Sequence, residues 1–195
     1  MTANNRTCYT GTAIALHWLI AFTVFGTFCF GLYVSGLPFS PRRIRWISYH
    51  KWVGISIFLL ALFRLLWRFG HPAPALPATM PAWQRRTATA SHSALYVLLL
   101  FIPLSGWLYS SAAGVPVVYL GLIRLPDLIT PDKPLAKILK LTHMVLNYTL
   151  AGIVIVHALA ALKHHFVDRD GVFARMLPFL KSSQPPVKRS EDAIR

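Results

Sequence analysis

Four blocks of apolar residues dominate the chain, running over positions 12–34, 46–69, 92–110 and 139–166. Each approaches or exceeds the roughly 20 helical residues needed to cross the hydrocarbon of a bilayer. Helix breakers fill the gaps: Pro38 and Pro41, then Pro72, Pro74, Pro77 and Pro81, then Pro126, Pro131 and Pro134. The pattern predicts an all-α fold, an integral membrane four-helix bundle in one domain over residues 1–180. Residues 181–195 read as a polar, disordered tail, and 71–90 as a Pro-rich linker. The half-apolar stretch 115–140 is expected to lie at the membrane interface as a short amphipathic segment. The first block is too long for a signal peptide's apolar region and no A-x-A-like site follows it, so it is expected to be retained.

Composition sharpens this picture. Hydrophobic residues make up 55% of the chain and charged residues 13%, where a soluble domain carries about a quarter charged. The net charge of +14, from 20 basic and 6 acidic residues, sits between the apolar blocks. It therefore points to lipid head groups, topology and small anions, not to nucleic acid. Cys8 and Cys29 form no CxxC, zinc or CxxCH pattern, which excludes covalently attached haem. With the N-terminus inside, twelve basic residues face the cytoplasm, among them Arg6, Arg64, Arg68, Lys181, Lys188, Arg189 and Arg195, against eight outside. Both termini are thus expected to be cytoplasmic.

Histidine is the residue that the membrane segments least explain. Five of the eight histidines, His17, His50, His92, His143 and His157, fall within or at the ends of the apolar blocks. Ionisable groups there are costly and mark ligands, proton paths or cofactors. His143 and His157 are 14 residues apart, which on a helix places them within about 40° of one face and about 21 Å apart along the axis. Neutral imidazole ligates iron well, so this spacing predicts two haems at two depths. Depth then pairs His50 with His143 on the outer side and His17 with His157 on the inner side. Gly31 and Gly54 are expected to give the porphyrin rings room. Four histidines hydrogen-bonding across a bundle without iron is the plainer alternative, and His92 in place of one ligand is another.

The segments AIALHWLIAFTVFG (13–26), SYHKWVGISIFLLALFRLLWR (48–68), ASHSALYVLLLFIPLSGWLYS (90–110) and LTHMVLNYTLAGIVIVHALAALKHHFVDRDGVFARMLP (141–178) resemble the bacterial cytochrome b561 family, and more distantly the b-type cytochrome subunits of nickel-iron hydrogenases. The resemblance covers nearly the whole chain in order. It implies a four-helix bundle in a bacterial inner membrane, two b haems on His17, His50, His143 and His157, and electron transfer between the outer face and the quinone pool. One activity characterised in the family is superoxide oxidation to dioxygen, with ubiquinone reduced on the inner side. The resemblance also suggests that His164 helps bind quinone; Arg85, Arg86 and His92 enter the third segment from the same side and are expected to contribute. Capping of the helix at head-group level by His164 and His165 is the alternative. His71 reads as a surface residue.

The cations beside the outer pair fit such chemistry. Arg42, Arg43, Arg45 and Lys51 lie near His50, and Lys137 and Lys140 precede His143, so both groups are placed to steer a small anion. Head-group contact or docking of an acidic periplasmic partner would use the same residues. A second function class is therefore open: a haem anchor and relay subunit serving a partner dehydrogenase or periplasmic electron carrier. A haem-free transporter is a poor third, since no inverted repeat or substrate path is visible.

Overall fold

The structure is a computed structural model describing residues 8–77 and 80–177. The expected tail at 181–195, with Lys181, Lys188, Arg189 and Arg195, lies outside the described residues, as does Arg6. Four helices form the bundle: α1 (Gly11–Ser35), α2 (Pro41–Gly70), α3 (Ala82–Ala112) and α4 (Lys133–Lys163). All four are long and apolar enough to span a membrane.

Their starts are set by local chemistry. The Thr10 hydroxyl accepts the Ala13 N–H and the Ser40 hydroxyl accepts the Arg43 N–H, so each caps a first turn. Pro41 follows Ser40 at a position where its missing N–H costs nothing. Asp132 caps α4 by accepting the Leu135 N–H at 2.9 Å, and its own N–H bonds Ala112 O at 2.8 Å, tying the start of α4 to the end of α3. Past Lys163 the helix widens into a π-helical turn over His164–Asp168.

The helices therefore begin earlier than the apolar blocks. Helix α3 starts at Ala82, ten residues before the apolar run, because beyond Pro81 no breaker interrupts the polar turns holding Gln84–Thr89. The expected linker thus ends near Pro81. The stretch 115–140 is a short hairpin followed by the first turns of α4. Strands β1 (Val118–Tyr119) and β2 (Ile123–Arg124) pair antiparallel there, with Val118 opposite Arg124 and Tyr119 opposite Ile123. The hairpin docks on α2: the Trp52 indole donates to Val118 O at 2.6 Å, and Ser56 Oγ lies 2.9 Å from the Tyr119 hydroxyl.

Successive helices pack side by side, α1 on α2, α2 on α3 and α3 on α4. Helix α4 meets α1 and α2 through ring contacts, Phe28 with Tyr148 and histidine with histidine. The buried core is small: Ile20, Ile57, Ala61, Leu98, Leu99, Ile102 and Leu150. Large apolar residues such as Phe22, Phe25, Leu66, Ile155 and Val156 face outward, which suits lipid as the surrounding medium.

Candidate functional site

The five half-buried histidines gather at two levels of the bundle. At the level expected to be the outer one the ring centroids of His50 and His143 are 6.4 Å apart with planes at 87°. At the other level, expected to be the inner one, His17 and His157 are 6.3 Å apart at 63°, and His92 approaches His157 at 5.3 Å. The seven core residues lie between the levels on every helix: Ile20 follows His17, Ile57 and Ala61 follow His50, Leu98 to Ile102 follow His92, and Leu150 falls between His143 and His157.

These distances can be tested against haem iron. A metal–imidazole bond of about 2.0–2.1 Å on each side, plus the half-widths of two rings, puts the centroids roughly 6 Å apart. Both pairs meet that requirement. The outer pair also borders an opening lined by Val24, Phe28, Gly54, Leu99 and Asn147 among others. A Cβ on Gly54 would meet nothing within 4 Å. The residues present therefore fit a planar group between the rings.

The hydrogen bonds of His143 settle its tautomer. Its Nδ1 lies 3.0 Å from Ile102 O and 2.9 Å from Ser105 Oγ, while Ser105 itself donates to Ile102 O at 2.7 Å. A carbonyl can only accept, so Nδ1 carries the hydrogen and Nε2 keeps a lone pair for a metal. On His50, Nδ1 is buried and has no hydrogen-bond partner among the described residues.

Two glycines admit the outer rings. A Cβ on Gly31 would stand 2.9 Å from His50 Cε1, and one on Gly106 would stand 3.0 Å from His143 Cε1. Gly31 therefore makes room for an imidazole rather than for the porphyrin expected from the sequence. Gly106 and Ser105, which the sequence reading missed, sit just past Pro103 in α3. Small residues beside a proline inside an apolar run were the available signal.

The expected quinone residues do not form one cluster. His92 belongs to the inner histidine group, while Arg85 and Arg86 are exposed on the first turns of α3. Among the described residues no hydrogen bond, ion pair or ring contact joins either arginine to His164. His164 instead pairs with acids that were not anticipated: its Nδ1 lies 2.7 Å from Asp170 Oδ2 and 3.1 Å from Asp168 Oδ2. Lys163 holds Asp168 at 2.6 Å, and Asp170 Oδ1 accepts the Val172 N–H at 3.0 Å. Arg169, at φ 49°, and Gly171, at φ 74°, bend the chain back so that these carboxylates reach the ring. His165 packs on Phe166 and Phe173. His71 stacks on Trp67 at 4.2 Å and is half-buried, not a free surface residue.

At the His50 end of the bundle Arg42 lies over the Trp46 ring at 5.5 Å. Arg45, Lys137 and Lys140 are exposed, Arg43 and Lys51 half-buried, and the Nε of Arg43 is buried without a partner among the described residues. These cations share the end of the bundle that carries His50 and His143.

Four spanning helices enclosing paired imidazoles at two depths define a multi-pass membrane protein of the cytochrome class. The profile of the prokaryotic cytochrome b561 family matches residues 8–179, and the chain belongs to that family. It is 35% identical to cytochrome b561 homolog 2 of Escherichia coli K12 over 165 residues, covering 84% of this chain and 87% of the relative. Cytochrome b561 homolog 1 of the same organism is 28% identical over 174 residues, 87% of this chain and 97% of the relative. A Yersinia pestis protein named probable superoxide oxidase CybB is 29% identical over 177 residues, 87% of this chain and 96% of its own length. Family membership makes the chain a membrane electron-transfer protein and implies b-type haem as its cofactor.

Proposed function

We propose that the chain holds two b haems, one between His50 and His143 and one between His17 and His157, and carries electrons from the outer face to ubiquinone on the inner side. The observation that carries this reading is the pair of ring separations, 6.4 Å and 6.3 Å, repeated at two levels of one bundle. Haem supplies reversible one-electron chemistry; the residues of the chain determine what reaches it. The similarity to a protein named as a superoxide oxidase makes superoxide the specific outer substrate proposed.

Each superoxide gives up one electron and leaves as dioxygen, and two such electrons with two protons turn ubiquinone into ubiquinol. Arg42, Arg43, Arg45, Lys51, Lys137 and Lys140 attract the anion toward the outer pair. The apolar layer between the levels keeps water out. On the inner side His164, backed by Asp170, is placed to hydrogen-bond a quinone oxygen and hand on a proton. The protein then lies in the bacterial inner membrane with both termini in the cytoplasm, which places the basic outer cluster on the periplasmic side.

A reduced-minus-oxidised visible spectrum with haem quantification on the purified protein tests the reading. Two haems per chain are expected, one lost on replacing His50 or His143 and the other on replacing His17 or His157. A colourless protein made with ample haem, or loss of both haems from every single substitution, would overturn the assignment. Stopped-flow mixing with superoxide and a ubiquinone analogue then separates enzyme from relay subunit, since a relay turns over only with its partner.

A further inference from the structure

Arg64 repeats on α2 the register that α4 uses for its histidines. It follows His50 by 14 residues, so it lies within about 40° of the same face and about 21 Å deeper, at the inner histidine level. Arg68 comes one turn further in. The two guanidiniums lie over the Tyr96 ring of α3 at 5.6 Å and 5.9 Å. With Tyr9, Trp67 and His71 they line an opening of about 280 Å³. Its wall is fixed, because the Trp67 indole donates to Thr10 Oγ1 at 3.1 Å and stacks on His71. Arg64 is within electrostatic reach of His17, His92 and His157, and Arg68 of His92.

What this pair of arginines lacks among the described residues is an anion. Four acids fall within the described residues, and each is engaged elsewhere. Asp127 pairs with Arg124, Asp132 caps α4, Asp168 holds Lys163 and Asp170 holds His164. Among the described residues, none pairs with Arg64 or Arg68. Guanidinium charge inside a span is costly without a counter-charge, and a planar fork of N–H donors selects carboxylate or phosphate oxygens.

We infer that Arg64 and Arg68, backed by Tyr96, form an oxyanion site for the carboxylates of the haem held at the inner level. This rests on the two-haem reading above. The consequence is electrostatic. Reduction of ferric iron removes a positive charge, so a fixed cation beside the inner site favours the reduced state and draws electrons inward. Phosphate of a bound phospholipid would satisfy the same donors, and the experiment separates the two sources.

The test is a redox titration of purified holoprotein in detergent, with phosphate analysis of retained lipid. Arg64→Gln is expected to move one midpoint potential negative and leave the other in place, with retained phosphate unchanged. Arg64→Lys, which keeps the charge, is expected to move it less, and Arg68→Gln to move it in the same direction. Should Arg64→Gln fail to assemble, the Lys variant and Arg68→Gln carry the comparison. Two haems with unmoved potentials in these variants would sink the inference alone, as would loss of retained phosphate with unmoved potentials. A wild-type protein with a single haem would sink the two-level reading first and the inference with it.

Discussion

Replacing Gly31 with alanine would set a methyl carbon 2.9 Å from His50 Cε1 and 3.3 Å from its Nδ1. Carbon atoms rest about 3.5–4.0 Å apart, so the ring would have to withdraw by roughly 0.6–1 Å. Metal–ligand distances tolerate about 0.2 Å, several times less than that withdrawal. Overpacking of this kind costs about 1–3 kcal/mol. At about 1.4 kcal/mol per factor of ten, the outer haem should bind about 5- to 150-fold more weakly. The assay is haem content per chain with a redox titration on protein purified at limiting haem, where one component should diminish and the other persist. Gly26→Ala serves as the control, since a Cβ there meets nothing within 4 Å on the same helix. If Gly31→Ala kept two haems with unaltered potentials and affinity, the packing of His50 against α1 would not be what positions its ring.

Two further outcomes follow from the two ends of the bundle. Asp170→Asn keeps the shape beside His164 but removes the charge 2.7 Å from Nδ1, and positioned proton transfer is worth about 10²–10⁴-fold. Reoxidation of the reduced protein by a ubiquinone analogue should slow by at least about tenfold, with dithionite reduction unchanged; equal quinone rates would remove the acid from the proton path. Reduction of the protein by superoxide should slow as salt rises, because exposed charges are screened beyond about 10 Å at 0.1 M. A rate indifferent to ionic strength, or to neutralising Lys51 and Lys140, would leave the outer cations with lipid or a partner protein.

The membrane helices were legible because a span must be apolar for its full thickness, whatever it packs against. Their ends were not, since the polar turns from Ala82 to Ala90 stay helical beyond the apolar run. The histidine levels were legible for a related reason: a 14-residue spacing fixes both depth and face on one helix, without knowledge of its neighbours. Contacts across helices need the rotation of two helices at once, and so Gly106, Ser105 and the carbonyl of Ile102 could not be matched to His143 in advance. Arg64 obeys the same spacing on α2, but in the sequence a basic residue near the end of an apolar run equally signals topology. The acids around His164 were hidden by a reversal of the backbone at Arg169 and Gly171 that no periodicity announces.

The apolar layer of Ile20, Ile57, Ala61, Leu98, Leu99, Ile102 and Leu150 has a consequence for energy conversion. These seven side chains are all apolar and offer an electron crossing between the levels no proton to travel with it. The levels are about 21 Å apart in about 30 Å of hydrocarbon, so a transfer spans about two-thirds of the membrane field. A full crossing is worth about 2.3 kcal/mol per 100 mV, which makes this step worth about 1.6 kcal/mol. A potential negative inside would therefore hold inward transfer back roughly fifteenfold for each 100 mV. In sealed vesicles, collapsing the voltage with an ionophore should accelerate reduction of the inner acceptor, tying the protein's turnover to the energisation of the cell.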